Sequence, residues 1–285
     1  MKSRLVVAVL VCVVLASGVW AQQIASVSTR AIGMGGAGIA VADDAAAWFQ
    51  NPAGLATLGV PVKEGNEYGN DLYFAYASAG DFDGWGLSWS GWKPSERLGF
   101  GAGYAEADDL GDLFGAGFGA GLKDIPLSAG INVASVDPDG GDEHTVLNLG
   151  LLYKLNLGEG KDPLRLGLTI ADLADEFEVG PFWNAGLAWK PVADLLIAVD
   201  VCDLTEEMGD ATISGGAEYS FGEAKEWKLR AGLLDTSTAA GLMGGDEEHK
   251  FTVGVGYQAK NWRADFGYLD IEPDALWTLG VGVNL

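Results

Sequence analysis

Leu147-Asn148-Leu149-Gly150-Leu151-Leu152-Tyr153-Lys154 places a bulky apolar residue at every odd position and mostly asparagine, glycine or lysine between. Leu164-Arg165-Leu166-Gly167-Leu168-Thr169-Ile170-Ala171 repeats the pattern, as does Trp262-Arg263-Ala264-Asp265-Phe266-Gly267-Tyr268-Leu269. A period of two marks a β-strand whose two faces meet different surroundings. A soluble barrel turns its bulky face inward. Here the opposite face carries charge of both signs: Arg165, Lys228, Arg230 and Arg263 with Asp200, Glu218 and Asp265. Opposite charges can neutralise one another in a closed bore, so the arrangement reads as inverted, with ions and glycine inside and hydrocarbon facing lipid.

Runs of this kind recur at 71–79, 83–92, 97–106, 112–123, 125–136, 144–155, 163–171, 181–190, 193–203, 211–221, 227–234, 249–258, 261–269 and 275–285. Most are near the ~9–11 residues that a tilted strand needs to cross a bilayer. The pattern predicts an all-β chain, a transmembrane antiparallel up-and-down β-barrel of about 14 strands (12–14 by pattern alone), and an even count returns both termini to one side. Tyr73, Trp92, Tyr153, Trp189, Trp227, Trp262 and Trp277 fall near strand ends, where aromatic girdles anchor at the membrane interface. Glycine, 43 of 285 residues, is about twice its usual share and recurs at alternate strand positions, such as Gly99, Gly101 and Gly103, or Gly115, Gly117, Gly119 and Gly121. Glycine weakens an ordinary strand, so its repetition points to a crowded interior.

The connections carry a second signal. Those at 80–84, 106–112, 137–143, 172–180, 203–210, 235–248 and 270–274 hold 25 of the chain's 40 Asp and Glu and no Lys or Arg. The intervening ones, 93–96, 123–126, 156–162, 190–194, 222–226 and 259–261, hold Lys93, Lys123, Lys161, Lys190, Lys225 and Lys260. The barrel therefore has two chemically distinct rims. Short turns face the periplasm and longer loops the medium, which predicts a Gram-negative-type outer membrane with acidic loops outward and both termini periplasmic. If the hairpin around 222–226 is symmetric about Ala224, Glu218 and Arg230 stand opposite each other, both inward, as a cross-strand ion pair.

Residues 1–21 read as a secretory signal peptide: Lys2 and Arg4, the apolar stretch Leu5–Leu15, then Val19-Trp20-Ala21. Cys12 as a lipoprotein anchor is disfavoured by Val11 before it, where a small residue is wanted. Without the signal one cysteine is left, Cys202, which reads as a small buried strand residue and excludes an internal disulfide framework.

Residues 22–70 break the alternation and read as a separate segment. Gly33, Gly35 and Gly38 spell the dinucleotide fingerprint, but no strand precedes them and no βαβ unit follows. Asp43-Asp44 ahead of Ala45-Ala46-Ala47-Trp48-Phe49 predicts an N-cap and a short helix, stopped by Asn51-Pro52.

Three phrases in this segment carry a resemblance: Ala31-Ile32-Gly33-Met34-Gly35-Gly36-Ala37, Ala40-Val41-Ala42-Asp43-Asp44-Ala45 and Asn51-Pro52-Ala53-Gly54-Leu55-Ala56. They resemble the N-terminal segment of the PorV family of outer-membrane proteins and, more distantly, the FadL-type channels for hydrophobic compounds. The match covers some 25 residues. The resemblance implies a fourteen-stranded barrel over 71–285 with a small hatch inside its lumen on the periplasmic side. The hatch motif is Gly33, Gly35, Gly36, Asp43, Asp44, Asn51, Pro52 and Ala53. Such proteins often end in an aromatic residue, whereas this chain ends in Leu285; Val281, Val283 and Leu285 keep the alternation. The implied functions are the passage or binding of small hydrophobic molecules or, alternatively, a non-transporting scaffold or shuttle for protein secretion or surface attachment. The expected partners are outer-membrane lipid, hydrophobic small molecules or secretion-system proteins.

No enzyme chemistry stands out, and no cofactor is implied. His144 and His249, the only histidines, lack further ligands at metal spacing. Asp137-Pro138-Asp139-Gly140-Gly141-Asp142-Glu143 lacks the spaced glutamate of an EF-hand and reads as a solvated turn. A net charge of −23 argues against nucleic acid as a partner.

Overall fold

The computed structural model describes residues 28–59, 62, 66–79, 82–108, 111–137, 143–158, 162–176, 180–207, 210–235, 249–270 and 275–285. The signal-peptide expectation, Lys161 and most of the 137–143 and 235–248 loops lie outside these residues.

Fourteen antiparallel strands form one closed sheet in sequence order. They are β1 (Gly69–Ala79), β2 (Phe82–Lys93), β3 (Leu98–Ala107), β4 (Gly111–Gly121), β5 (Leu127–Asp137), β6 (His144–Leu155) and β7 (Leu164–Ala171), then β8 (Phe182–Val192), β9 (Leu195–Cys202), β10 (Thr212–Phe221), β11 (Trp227–Asp235), β12 (His249–Gln258), β13 (Trp262–Leu269) and β14 (Leu276–Asn284). Closure comes from β1 pairing with β14, from Asp71 opposite Asn284 to Ser78 opposite Trp277. The predicted runs match these strands to within about two residues at each end.

The barrel is inside-out. Phe114, Ile213, Leu229, Leu233, Phe251 and Val281 are at least half exposed, while their neighbours in sequence face a filled bore. Outward aromatics pack side by side along the turn rim, Phe221–Trp227–Tyr257–Trp262, with centroid separations of 6.4, 4.8 and 5.4 Å. At the other rim Tyr76 packs on Trp277 and Trp85 on Tyr104. A continuous apolar exterior with aromatic borders is the surface a bilayer selects.

Two expected girdle residues face inward instead. Tyr73 is 5% exposed and lies under Arg263, whose guanidinium carbon is 4.8 Å from the ring centroid. Trp92 donates its indole N–H to the Ala56 carbonyl at 3.2 Å. Each lies in phase with inward polar residues, Asp71 for Tyr73 and Ser90 for Trp92, and phase decides the face however close the residue lies to a strand end.

Strand order sends the connections β1–β2, β3–β4 and every second one thereafter to one end, and the lysine-bearing connections with both strand termini to the other. The inward positions are layered along the bore. Toward the acidic end they are apolar: Phe182, Cys202, Leu234, Leu269 and Leu276 form one buried cluster with Ile32 and Ile39. Small polar residues follow at mid-height, including Asn132, Asn148, Thr169, Asn184 and Thr252, all buried. Toward the turn end lie the ions.

Candidate functional site: the hatch and its ionic seat

Residues 28–59 fold inside the bore as three short turns of helix. They are α1 (Thr29–Gly33), α2 (Ala47–Gln50) and a 3₁₀ turn (Pro52–Thr57). Ser28 caps α1 by accepting from the Ala31 N–H at 3.3 Å. Gly35 and Gly36 take φ of +68° and +81°, a conformation for which glycine is the default residue. This part of the glycine-rich run, whose likeness to a nucleotide fingerprint was set aside above, thus serves a chain reversal.

The expected cap at Asp43-Asp44 is corrected. The N-cap position of α2 is Ala46, which makes no side-chain cap. Asp44 Oδ1 accepts from the Ala46 N–H at 2.9 Å one turn earlier, while Asp43 turns away to two arginines. Charge-assisted bonds to two guanidinium groups outcompete a neutral N–H for a carboxylate. The stop at Asn51-Pro52 stands: Asn51 Oδ1 accepts from the Ala53 N–H at 3.1 Å, and its Nδ2 donates to the carbonyls of Ile39 and Leu151.

The wall is shaped to this insert. A Cβ on Gly103 or Gly115 would meet the Trp48 ring at 2.5 Å, and one on Gly119 the Pro52 carbonyl at 2.5 Å. Gly130 and Gly150 abut Pro52 and Asn51, Gly167 and Gly186 abut Ile39-Ala40, and Gly216 and Gly232 abut Met34. The alternating glycines are therefore the mould of the hatch, and the crowded interior their frequency predicts is hatch backbone. Polar side chains at mid-height hold its main chain. Asp200 Oδ2 accepts the N–H groups of Gly38 and Ile39 at 2.7 and 3.0 Å, and Asn132 donates to the Trp48 carbonyl at 2.7 Å.

The ionic seat occupies the β10–β14, β1 and β7 side. Arg30 Nη1 lies 2.6 Å from Asp43 Oδ1, and its Nε lies 2.9 Å from Glu218 Oε2. Arg165 Nη1 reaches Asp43 Oδ2 at 3.0 Å. Arg230 donates from Nε to Glu218 Oε2 at 2.8 Å and from Nη1 to Asp265 Oδ1 at 2.7 Å. Glu218 and Arg230 are direct cross-strand partners, the register that symmetry about Ala224 predicts. Arg263 grips Asp71 with two bonds of 2.8 Å, and Asp71 Oδ2 also accepts from the Ala45 N–H. Of the predicted lumen charges, Arg165, Glu218, Arg230, Arg263 and Asp265 join this network; Asp200 stands apart, binding hatch amides, and Lys228 donates to Ser220 Oγ at 2.8 Å.

Arg30, Asp71 and Trp48 were missed. Arg30 was legible, being the sole arginine in residues 22–70. Its partner Glu218 lies 188 residues away, which no local pattern reveals. Between hatch and wall, at the turn end, lies a cavity of about 280 Å³, bounded by Arg30, Asp43, Glu218, Arg263, Lys190 and Lys228 among others.

Burial raises the Asp43 carboxyl, but Arg30 and then Arg165 outweigh it and hold it below the usual carboxylate range. Burial foremost raises Asp44. A depressed folded-state value means that the Asp43 contribution is complete above the unfolded value, about 3.9, and fades as pH falls from there through the folded value. The Asp43 pairs are accordingly expected to hold from neutral pH to about 4 and to weaken below it. Backbone hydrogen–deuterium exchange of residues 28–50, corrected for the intrinsic pH dependence of exchange, checks this; loosening around Arg30 already at pH 6 would contradict it.

No protein-family model matches the chain, and no curated protein matches it by sequence. Solved structures share the barrel. The Pseudomonas putida toluene transporter TodX aligns at TM-score 0.57 and 14% identity, over 89% of this chain and 96% of its own. The Ralstonia pickettii toluene transporter TbuX aligns at 0.56 and 13%, over 89% and 96%. The Acinetobacter baumannii outer membrane protein Omp33 aligns at 0.55 and 8%, over 78% and 100%. At these identities what is shared is the fold.

Proposed function

We propose that this chain is a PorV-like outer-membrane barrel that binds or passes small hydrophobic molecules, with the hatch as its gate, acidic loops toward the medium and both termini in the periplasm. One observation carries the reading: the hatch has two unlike faces. Ile32 and Ile39 meet the apolar layer of Phe182, Leu234, Leu269 and Leu276 on the acidic-loop side, whereas Arg30, Asp43 and Asp44 face the ions at the turn end. An apolar solute entering from the loop side would part a packed layer, each of these side chains being buried, into surroundings that favour it. Next it meets a charged layer that disfavours it, so passage requires the hatch to move or the solute to leave sideways. Two of the structures of like fold are toluene transporters, which is in keeping with this reading.

A second reading has its own support. The hatch is bedded in glycine backbone and ion pairs, and the cavity beside it is charged, which suits a closed barrel serving as a scaffold or shuttle for exported proteins. Purification of the full-length chain from its membranes separates the two. A lipid-like or aromatic ligand found in stoichiometric amount by mass spectrometry is expected for transport. A large protein partner with no such ligand would overturn that reading in favour of the scaffold.

A further inference from the structure

We propose that the turn-end cavity is a binding site for a small oxyanion, a carboxylate or a phosphate, held by Lys190 and Lys228. The site stands whichever cargo the barrel carries. The argument rests on how the charges around the cavity are spent. Asp43 is shared by Arg30 and Arg165, Glu218 by Arg30 and Arg230, Asp265 is held by Arg230, and Asp71 is held by Arg263 through two bonds. Four arginines thus occupy four carboxylates. Lys190 and Lys228 line the same space, and among the described residues neither ammonium has a carboxylate within ion-pair distance; Lys228 has only the Ser220 hydroxyl. Asp44, the remaining carboxylate on the cavity, accepts the Ala46 N–H, and burial shifts it toward its neutral form.

Two half-buried ammoniums facing one cavity repel each other, and an anion between them relieves the repulsion through charge-assisted hydrogen bonds. The volume, about 280 Å³, lies just under the roughly 300–1,000 Å³ of ordinary ligand pockets, which suits a small solute. Gln258 and Asn284, the last residues of β12 and β14, also line it, so it lies at the turn end. There the connections mix the signs, Lys93, Lys123, Lys225 and Lys260 against Glu96, Asp124, Asp194, Glu223 and Glu226, whereas the other rim's connections hold no Lys or Arg. An anion is therefore opposed far less from the near-neutral turn side than from the loop side, and the attraction comes from the two lysines in the cavity itself.

Calorimetric titration of the detergent-solubilised full-length protein with inorganic phosphate, and separately with butyrate, tests the site. Saturable one-site binding of at least one of them is expected. It should weaken at least tenfold in Lys190→Gln/Lys228→Gln and persist in Lys225→Gln, a turn lysine that pairs with Asp194 instead. Lys228→Arg keeps the charge and should keep the binding, which guards against a double variant that fails to fold. Repeating the titration in nanodiscs separates the sources. A phosphate affinity equal in zwitterionic and anionic lipid marks a soluble anion; one reduced in anionic lipid marks a headgroup competing for the same lysines. Absence of saturable binding, equal binding by wild type and the double variant, or equal loss in Lys225→Gln would overturn the proposal.

Discussion

Arg230→Met is expected to destabilise the plugged barrel by about 3–5 kcal/mol, the cost of removing one partner from a buried ion pair. The Arg230 side chain is 3% exposed and that of Asp265 4%. Glu218 keeps Arg30 when Arg230 is lost, but Asp265 keeps no cation within ion-pair distance among the described residues, and a buried carboxylate without one must be protonated or drag in water. The damage is therefore specific to Asp265. Arg230→Met with Asp265→Asn should recover most of the loss, since an uncharged pair of similar volume is often neutral. The measurement is urea unfolding of the detergent-solubilised barrel, followed by the loss of its heat-modifiable migration. A single-variant loss below 1 kcal/mol would mean that water reaches Asp265 and that the seat is not dry. A double variant no better than the single would show packing, not charge, to be at stake.

This network also shows what the sequence discloses and what it withholds. Period-two alternation exposes the strands because each side chain's face is set by its own backbone, residue by residue. The Glu218–Arg230 register was legible for the same reason: a five-residue turn is local, and counting outward from Ala224 needs no other information. Asp43 was not legible. It looked like a cap because aspartate before an alanine-rich run is the usual cap signature, and only the arrival of Arg30 and Arg165 in three dimensions decides otherwise. Tyr73 and Trp92 were legible but misread, since nearness to a strand end was allowed to outweigh phase. The glycines are the intermediate case. Their spacing announced that something presses against the wall, but the fit of Gly103 and Gly115 to Trp48 belongs to the packing of a segment more than fifty residues away.

That fit supplies the larger test, Gly115→Leu. A leucine there must enter the space of the Trp48 ring, which a bare Cβ already meets at 2.5 Å. Trp48 is 3% exposed and its indole N–H donates to Ser88 Oγ at 3.2 Å, so it has nowhere to retreat within the bore. Overpacking of this kind usually costs about 1–3 kcal/mol. Here the tightest contact is between hatch and wall, with a lesser one inside the sheet, where the Val133 carbonyl of β5 stands 2.8 Å from the same Cβ. A small shift of β5 relieves the second contact while the ladder persists, and the cheapest relief of the first is for α2 and the 3₁₀ turn to leave their mould. Gly115→Leu is thus expected to assemble as a barrel and, in planar bilayers, to show sustained ion conductance where the parent is closed. Trp48→Ala, which removes the plug's largest anchor at about 3–5 kcal/mol, should conduct as well. Combining the two is the decisive step, because residues in contact are not additive. A leucine at 115 can fill part of the void left by Trp48, so the double variant should conduct less than either single one. Conductance that simply accumulates in the double variant would mean that Trp48 and Gly115 do not share a boundary, and that the hatch is not held by the glycine wall.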